Sequence, residues 1–239
     1  MTTWTRNLYE HDYLAISKGE SNDYSARNIF GYNALVGTSY IPLWENNTVY
    51  TYPTQPLTMT VTSNVADNGV QVRIIGLDGD YNVITEVVTL AVSVATTQQF
   101  FRINDVVTIS GNAANDITIS NGGITYAKVR AGDGKNQASI YTVPAGHSLY
   151  LVRIDAFCAT AAQNNRQIFF RNLACLPSGV KLRVAETSFL ETMHIQRQVP
   201  FRYNEKTDIE FQLHGSAGEQ FVSVFGEAIL CKNVITGEP

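Results

Sequence analysis

Residues 74–90 read IIGLDGDYNVITEVVTL. Two apolar, β-branched runs flank Asp78-Gly79-Asp80, and three structures can be built on that pattern: a metal loop, a pair of catalytic carboxylates, or a turn between strands. A calcium loop of the EF-hand type begun at Asp78 needs Gly at its sixth position and Glu at its twelfth. Val83 and Thr89 stand there instead. A turn fits better, because Asp-Gly readily takes the positive φ angles of tight hairpins and both flanks have strand composition. The stretch is therefore expected to be a β-hairpin whose two aspartates shape and solvate its tip.

Outward from this hairpin the chain reads as strand after strand. LTMTVTS (57–63) alternates Leu57, Met59 and Val61 with threonines, a period of two with one apolar face. GVQVRIIGL, NVITEVVTLAV, FFRINDVVTIS, NDITISN and ITYAKVR follow, and then a Gly-rich polar segment, VRAGDGKNQAS (129–139), marks a boundary. Strands resume with SIYTVPAGHSLYLVRIDAF, RQIFFRNLA, GVKLRVAETSFL, MHIQRQVPFRY, TDIEFQLHG and QFVSVFGEAILCKN. In TDIEFQLHG the alternation points Ile209, Phe211 and Leu213 inward and Asp208, Glu210 and Gln212 outward. Only ATAAQNN (159–165) has local helix propensity, and it is too short to stand alone. Short strands with turn signals between them indicate an all-β protein of two antiparallel β-sandwich modules, 57–135 and 136–239, the second jelly-roll-like.

Residues 1–56 show neither period and are rich in aromatics, so they are expected to form an irregular N-terminal arm closed by Pro53 and Pro56. Such an arm either wraps its own domain or lies on a partner subunit. On the second reading Trp4, Tyr9, Tyr13, Tyr24, Phe30, Tyr32 and Trp44 are the partner-binding residues.

Composition narrows the function. Apolar residues make up 44% of the 239-residue chain, but charged residues only 16%, against about 25% in an average soluble domain. That deficit is expected where neighbours cover much of the surface. The formal net charge is −4 and no run of Lys or Arg exceeds one residue, which disfavours nucleic acid. The first fifteen residues carry Arg6, Glu10, His11 and Asp12 without an apolar core, so a secretory signal is not expected, and no apolar stretch is long enough to span a membrane. Cys158, Cys175 and Cys231 are odd in number and widely spaced, the pattern of buried thiols made in a reducing cytoplasm.

No chemistry stands out. His11, His147, His194 and His214 form no local metal pair; His147 is expected to be solvated and His194 to be a hydrogen-bonded strand histidine. LHGSAGEQ lacks the nucleophile-elbow spacing, and GDGK (132–135) is no phosphate loop. Glu205, Asp208 and Glu210 cluster as glycosidase acids would, but the outward alternation of Asp208 and Glu210, with Lys206 beside them to pair with one, makes them surface charges. No catalytic, metal or cofactor residues are assigned, and an enzyme is not expected.

The succession VQVRIIGLDGDYNVITEVVTL, QQFFRINDVVTIS, NDITISNGG, SIYTVPAGHSLYLVRIDAF and RYNEKTDIEFQL, within about 60–232, resembles virion structural proteins of tailed bacteriophages common in marine and cyanobacterial viruses. That resemblance implies a non-enzymatic particle protein, made in the host cytoplasm and resident in the virion. Its most plausible role is a head decoration or cement protein, with a tail or fibre protein carrying a carbohydrate- or receptor-binding sandwich as the alternative. The implied partners are the major capsid protein or neighbouring virion proteins, and further copies of the chain as a homo-oligomer, a trimer favoured. For a sugar, the loops at 159–166 and 214–220 are the candidates.

Overall fold

The computed structural model describes residues 15–21, 23–159, 167–216 and 220–233. Within them lie four sheets in which every strand pair is antiparallel. Sheet A runs, in spatial order, β1 (Tyr24–Val36), β16 (Gln220–Lys232), β11 (His147–Ala159) and β14 (Thr192–Tyr203). Sheet B runs β10 (Ile140–Thr142), β15 (Asp208–Gly215), β12 (Ile168–Cys175) and β13 (Lys181–Phe189), with the short β2 (Ile41–Pro42) also on β15. Sheet C is β6 (Ser93–Phe100), β3 (Leu57–Thr62), β8 (Ile117–Asn121) and β9 (Ile124–Val129); sheet D is β5 (Val83–Thr89), β4 (Gln71–Leu77) and β7 (Arg102–Ser110).

Alternating side chains explain where the cores sit. Ile29, Leu149, Leu151 and Val224 of sheet A meet Phe170, Ile209, Phe211 and Leu213 of sheet B in one buried cluster. Met59, Val61, Ile117 and Ile119 of sheet C meet Val72, Ile74 and Val106 of sheet D in another. Gly226 on β16 makes the first cluster possible, since a Cβ there would stand 2.5 Å from Cε2 of Phe211.

The hairpin reading of residues 74–90 is borne out. β4 and β5 pair from Gln71↔Thr89 to Leu77↔Val83, leaving a loop at 78–82. The Asp78 carboxylate organises it, accepting the N–H groups of Asp80 and Asn82 on Oδ1, each at 2.9 Å. The positive φ, however, falls at Tyr81 (70°) and not at Gly79. Gly79 is required for space instead, because a Cβ on it would lie 2.9 Å from Cγ of Pro56.

Two expectations are corrected. Residues 24–36 are not irregular: they form β1, registered along β16 from Tyr24↔Cys231 to Val36↔Gln220. Ile29 at 2% exposure anchors that strand in the core, and the mixed polar and aromatic sequence around it concealed the alternation. Trp44 is not available to a partner. It is buried with Tyr50 and Ile140 and donates its indole N–H to the Thr48 carbonyl at 2.7 Å. Trp4, Tyr9 and Tyr13 lie outside the described residues, as does nearly all of the helix-prone 159–165, whose first residue ends β11. β6, SVATTQQF, had no sequence signal, since its polar centre hides a strand that pairs with β3.

Candidate functional site

The carboxylates that sequence placed on an outer strand face are buried. Asp208 is 6% and Glu210 4% exposed, because β15 lies between β12 on one side and β10 and β2 on the other, with both its faces covered. Asp208 binds Arg102 of β7 in a two-pronged ion pair, Nε to Oδ1 at 2.9 Å and Nη2 to Oδ2 at 3.0 Å, and also accepts the Thr142 hydroxyl at 2.6 Å. Glu210 accepts the side-chain amide of Gln212. Lys206 pairs with neither and sits with Nζ 5.7 Å from the centre of the Tyr81 ring.

This ion pair joins sheet D to sheet B, and aromatic rings enclose it. The Arg102 guanidinium carbon is 4.7 Å from the Tyr52 ring centre, 4.1 Å from that of Phe101 and 5.7 Å from that of Tyr81. Burial alone would push the guanidinium pKa down, but the Asp208 carboxylate more than offsets this and holds it above its ordinary value. Nearby, Asn104 and Thr142 exchange two hydrogen bonds at 2.9 Å, and the Tyr81 carbonyl accepts the Ala145 N–H at 2.9 Å. The tip of the 74–90 hairpin is thus part of the joint. Among the described residues no three of His, Cys, Asp and Glu come together in a way that could hold a metal. Burial raises the thiol pKa values of Cys158, Cys175 and Cys231, with Glu210 helping to push Cys175 up to about 11.

The outer face of sheet A gathers the described aromatic residues that remain exposed. Registers across the sheet place Phe30, Phe225, Asp155 and His194 in one row and Tyr32, Ser223, Phe157 and Thr192 in the next. Asn28, Glu227, Arg153 and Gln196 form the row on the other side, and Tyr24 and Phe221 lie towards opposite ends. Phe157 is 53%, Phe221 51%, Tyr24 49% and Phe30 38% exposed. Amid these rings, Asp155 holds Arg153 Nε at 2.7 Å and touches His194 Nδ1, while Glu227 lies 3.7 Å from Arg153. The face therefore offers apolar area around a strip of paired opposite charges.

Of the expected partner-binding residues, the structure places Tyr24, Phe30 and Tyr32 along this one face. Tyr32 is also covered by Arg130, whose guanidinium carbon is 4.6 Å from its ring centre. Sequence reasoning missed Phe157, Phe221 and Phe225. In FVSVFG both alternating sets contain apolar residues, so neither face declares itself. In LYLVRIDAF a bulge between Leu151 and Arg153 shifts the register, so that Leu149 and Leu151 point inward before it and Ile154 and Ala156 after it. His194 lies in a strand and is hydrogen-bonded, as expected, although its side chain is 57% exposed. His147 is only half-exposed, with Nδ1 2.8 Å from the Ala145 carbonyl oxygen. The loops considered for a sugar, 159–166 and 214–220, fall largely outside the described residues.

No family model and no curated protein matches the chain. Among solved structures, a mutant VP2 protein of infectious bursal disease virus in derived T=1 particles aligns with 90% of this chain and 75% of its own, at 10% identity and a TM-score of 0.19. The Gx strain of the same virus aligns with 90% of this chain and 72% of its own, at 11% identity and a TM-score of 0.20. Likeness of that degree carries no inference about role.

Proposed function

We propose that the chain is a non-enzymatic structural component of a tailed-bacteriophage particle, a decoration or cement protein that binds and stabilises the head. The observation that carries the reading is the outer face of sheet A, where Tyr24, Phe30, Phe157 and Phe221 stand exposed on a four-stranded sheet. Exposed aromatic side chains gathered on one sheet face are a common mark of interaction sites on soluble proteins. Burying the half-exposed part of one such side chain against a neighbour contributes on the order of 1 kcal/mol, so the rings act as anchors only as a group. The low charged fraction and the resemblance of the strand series to phage particle proteins agree with this assignment. In the same reading the four sheets are two sandwiches, A on B and C on D, the first jelly-roll-like; the separation of the two large buried clusters supports that pairing.

The test is the copy number of this chain in purified particles relative to the major capsid protein. A head decoration protein is present in numbers comparable with the capsid protein. Absence from the particle would overturn the structural reading, and a handful of copies would move it to the tail or fibre. A second reading rests on Phe157 beside the fixed Arg153, Asp155 and His194 groups, an exposed ring next to ordered donors and acceptors, which suits a sugar on a fibre protein. Saturable glycan binding that is lost in Phe157→Ser would favour it over decoration.

A further inference from the structure

We propose that the outer face of sheet B carries a carboxylate-binding site centred on Arg171, and that its ligand is an acidic sugar of the hexuronate type. The site lies on the far side of the cluster that sheets A and B bury between them, apart from the aromatic face of sheet A, and does not depend on what that face docks against.

Ile168 and Phe170 of β12 point into the buried cluster, and the alternation turns Phe169 and Arg171 outward. Register across the sheet sets His214, Phe169 and Ser188 in one outer row and Gln212, Arg171 and Glu186 in the next. Tyr40 touches both rows. Its ring centre is 4.0 Å from the Arg171 guanidinium carbon and 4.2 Å from the centre of the His214 ring, which stacks on Phe169 at 4.6 Å.

The guanidinium is fixed without a ligand. It lies against the Tyr40 ring, and its Nε donates to Gln212 Oε1 at 2.7 Å. Gln212 is 7% exposed, and its amide is held in turn by the carboxylate of Glu210, at 4%. Two buried side chains therefore orient Arg171 from beneath. Among the described residues no acceptor meets either Nη atom, and neither is a buried orphan. Glu186, directly opposite Arg171 in register, is the carboxylate expected to take them. It is engaged elsewhere, accepting the Tyr40 hydroxyl at 3.0 Å on Oε1 and Arg183 on Oε2. A planar cation held rigid, with a pair of N–H donors left to solvent, matches the two oxygens of a carboxylate.

Two features favour a sugar over the side chain of a protein. Tyr40, Phe169 and His214 are each only part-exposed, whereas Phe157 and Phe221 on sheet A stand half out of the surface, so the rings around Arg171 suit a small ring better than a broad protein face. Groups that pair with hydroxyls stand beside them. Gln167 Nε2 donates to Ser188 Oγ at 2.6 Å, and the neutral His214 ring, with Nδ1 3.2 Å from the Gly215 carbonyl oxygen, keeps Nε2 as an acceptor. Ring faces next to a few placed polar groups fit the apolar face and hydroxyl rim of a pyranose.

Isothermal titration of the full chain with trigalacturonate tests this, with maltotriose as the uncharged control, hexaglutamate as the peptide carboxylate and circular dichroism as the check on folding. Trigalacturonate is expected to bind saturably and more weakly as salt is added, and maltotriose not to bind. Arg171→Gln and Arg171→Lys are each expected to weaken binding by about tenfold or more, because lysine lacks the planar fork. Ser188→Trp, at an exposed position beside Phe169, is expected to obstruct the site while leaving Arg171 and its supports in place. Phe157→Ser, on the face of sheet A, should bind like the wild type. A wild type that does not bind trigalacturonate at millimolar concentration would overturn the proposal, as would unchanged binding in both Arg171→Lys and Ser188→Trp. Hexaglutamate binding as tightly as trigalacturonate would overturn the sugar assignment and give the fork to an acidic protein segment. Loss of binding in Phe157→Ser, with Arg171→Lys unaffected, would overturn it in favour of the sheet A face. None of these outcomes alters the copy number in the particle, so the structural role is judged separately.

Discussion

At the scale of single residues the joint between sheets B and D decides stability. Arg102→Met leaves Asp208 buried and unpaired, and is expected to cost about 3–5 kcal/mol in denaturant unfolding. The double replacement Arg102→Met with Asp208→Leu is expected to recover much of that loss, because two desolvated charges disappear together; an equal or larger loss would show that the pair contributes more than it costs to bury. Glu45 supplies a pH dependence. Burial raises its carboxyl from 4.5 to about 7, against the opposing hydrogen bond from the Gln137 N–H. The folded state thus holds the proton more tightly than the unfolded one, so the stabilising contribution is full below about pH 4.5 and is lost as pH rises through about 7. Melting temperatures of wild type and Glu45→Gln measured between pH 4.5 and 8 should diverge in slope, the variant lacking this decline. Neither group was legible in sequence. Asp208 and Glu210 alternate with apolar residues as surface charges do, and only the placement of β15 between covered faces reverses that reading.

Elements were far more legible than their surroundings. The 74–90 stretch declared itself a hairpin because both flanks are β-branched and the loop carries Asp and Gly, and the turn forms where those residues stand. Its other role was hidden: Tyr81 at φ 70° directs its carbonyl to Ala145 and its ring to Phe101 and Arg102, contacts with residues far away in sequence. β1 was missed because a strand with one open edge needs apolar residues only where it meets the core, at Ile29 and Val36. Glycines tie elements together across the interior. Gly226→Ala is expected to destabilise by about 1–3 kcal/mol, since its Cβ would press on the Phe211 ring and the two sheets would have to separate. Gly37→Ala, with open space around it, is the matched control and should change the denaturation midpoint little.

For the molecule as a whole, the four sheets of the described residues hold two large buried clusters and a small third one around Trp44, and the exposed aromatic side chains gather on one face of sheet A. Composition pointed to contacts with neighbours, but it could not say which residues make them, because a bulge in β11 and the doubly apolar β16 erase the alternation that would mark that face. The exposed rings are spread over β1, β11 and β16, so the surface exists only once the chain is folded. The most direct measurement is add-back: purified chain is mixed with particles assembled without it, and the bound fraction is quantified after sedimentation. Wild type should bind saturably, while a variant carrying both Phe157→Glu and Phe221→Glu should keep the wild-type circular dichroism spectrum and fail to bind. Undiminished binding by that variant would contradict the assignment of the sheet A face as the surface that docks on the particle.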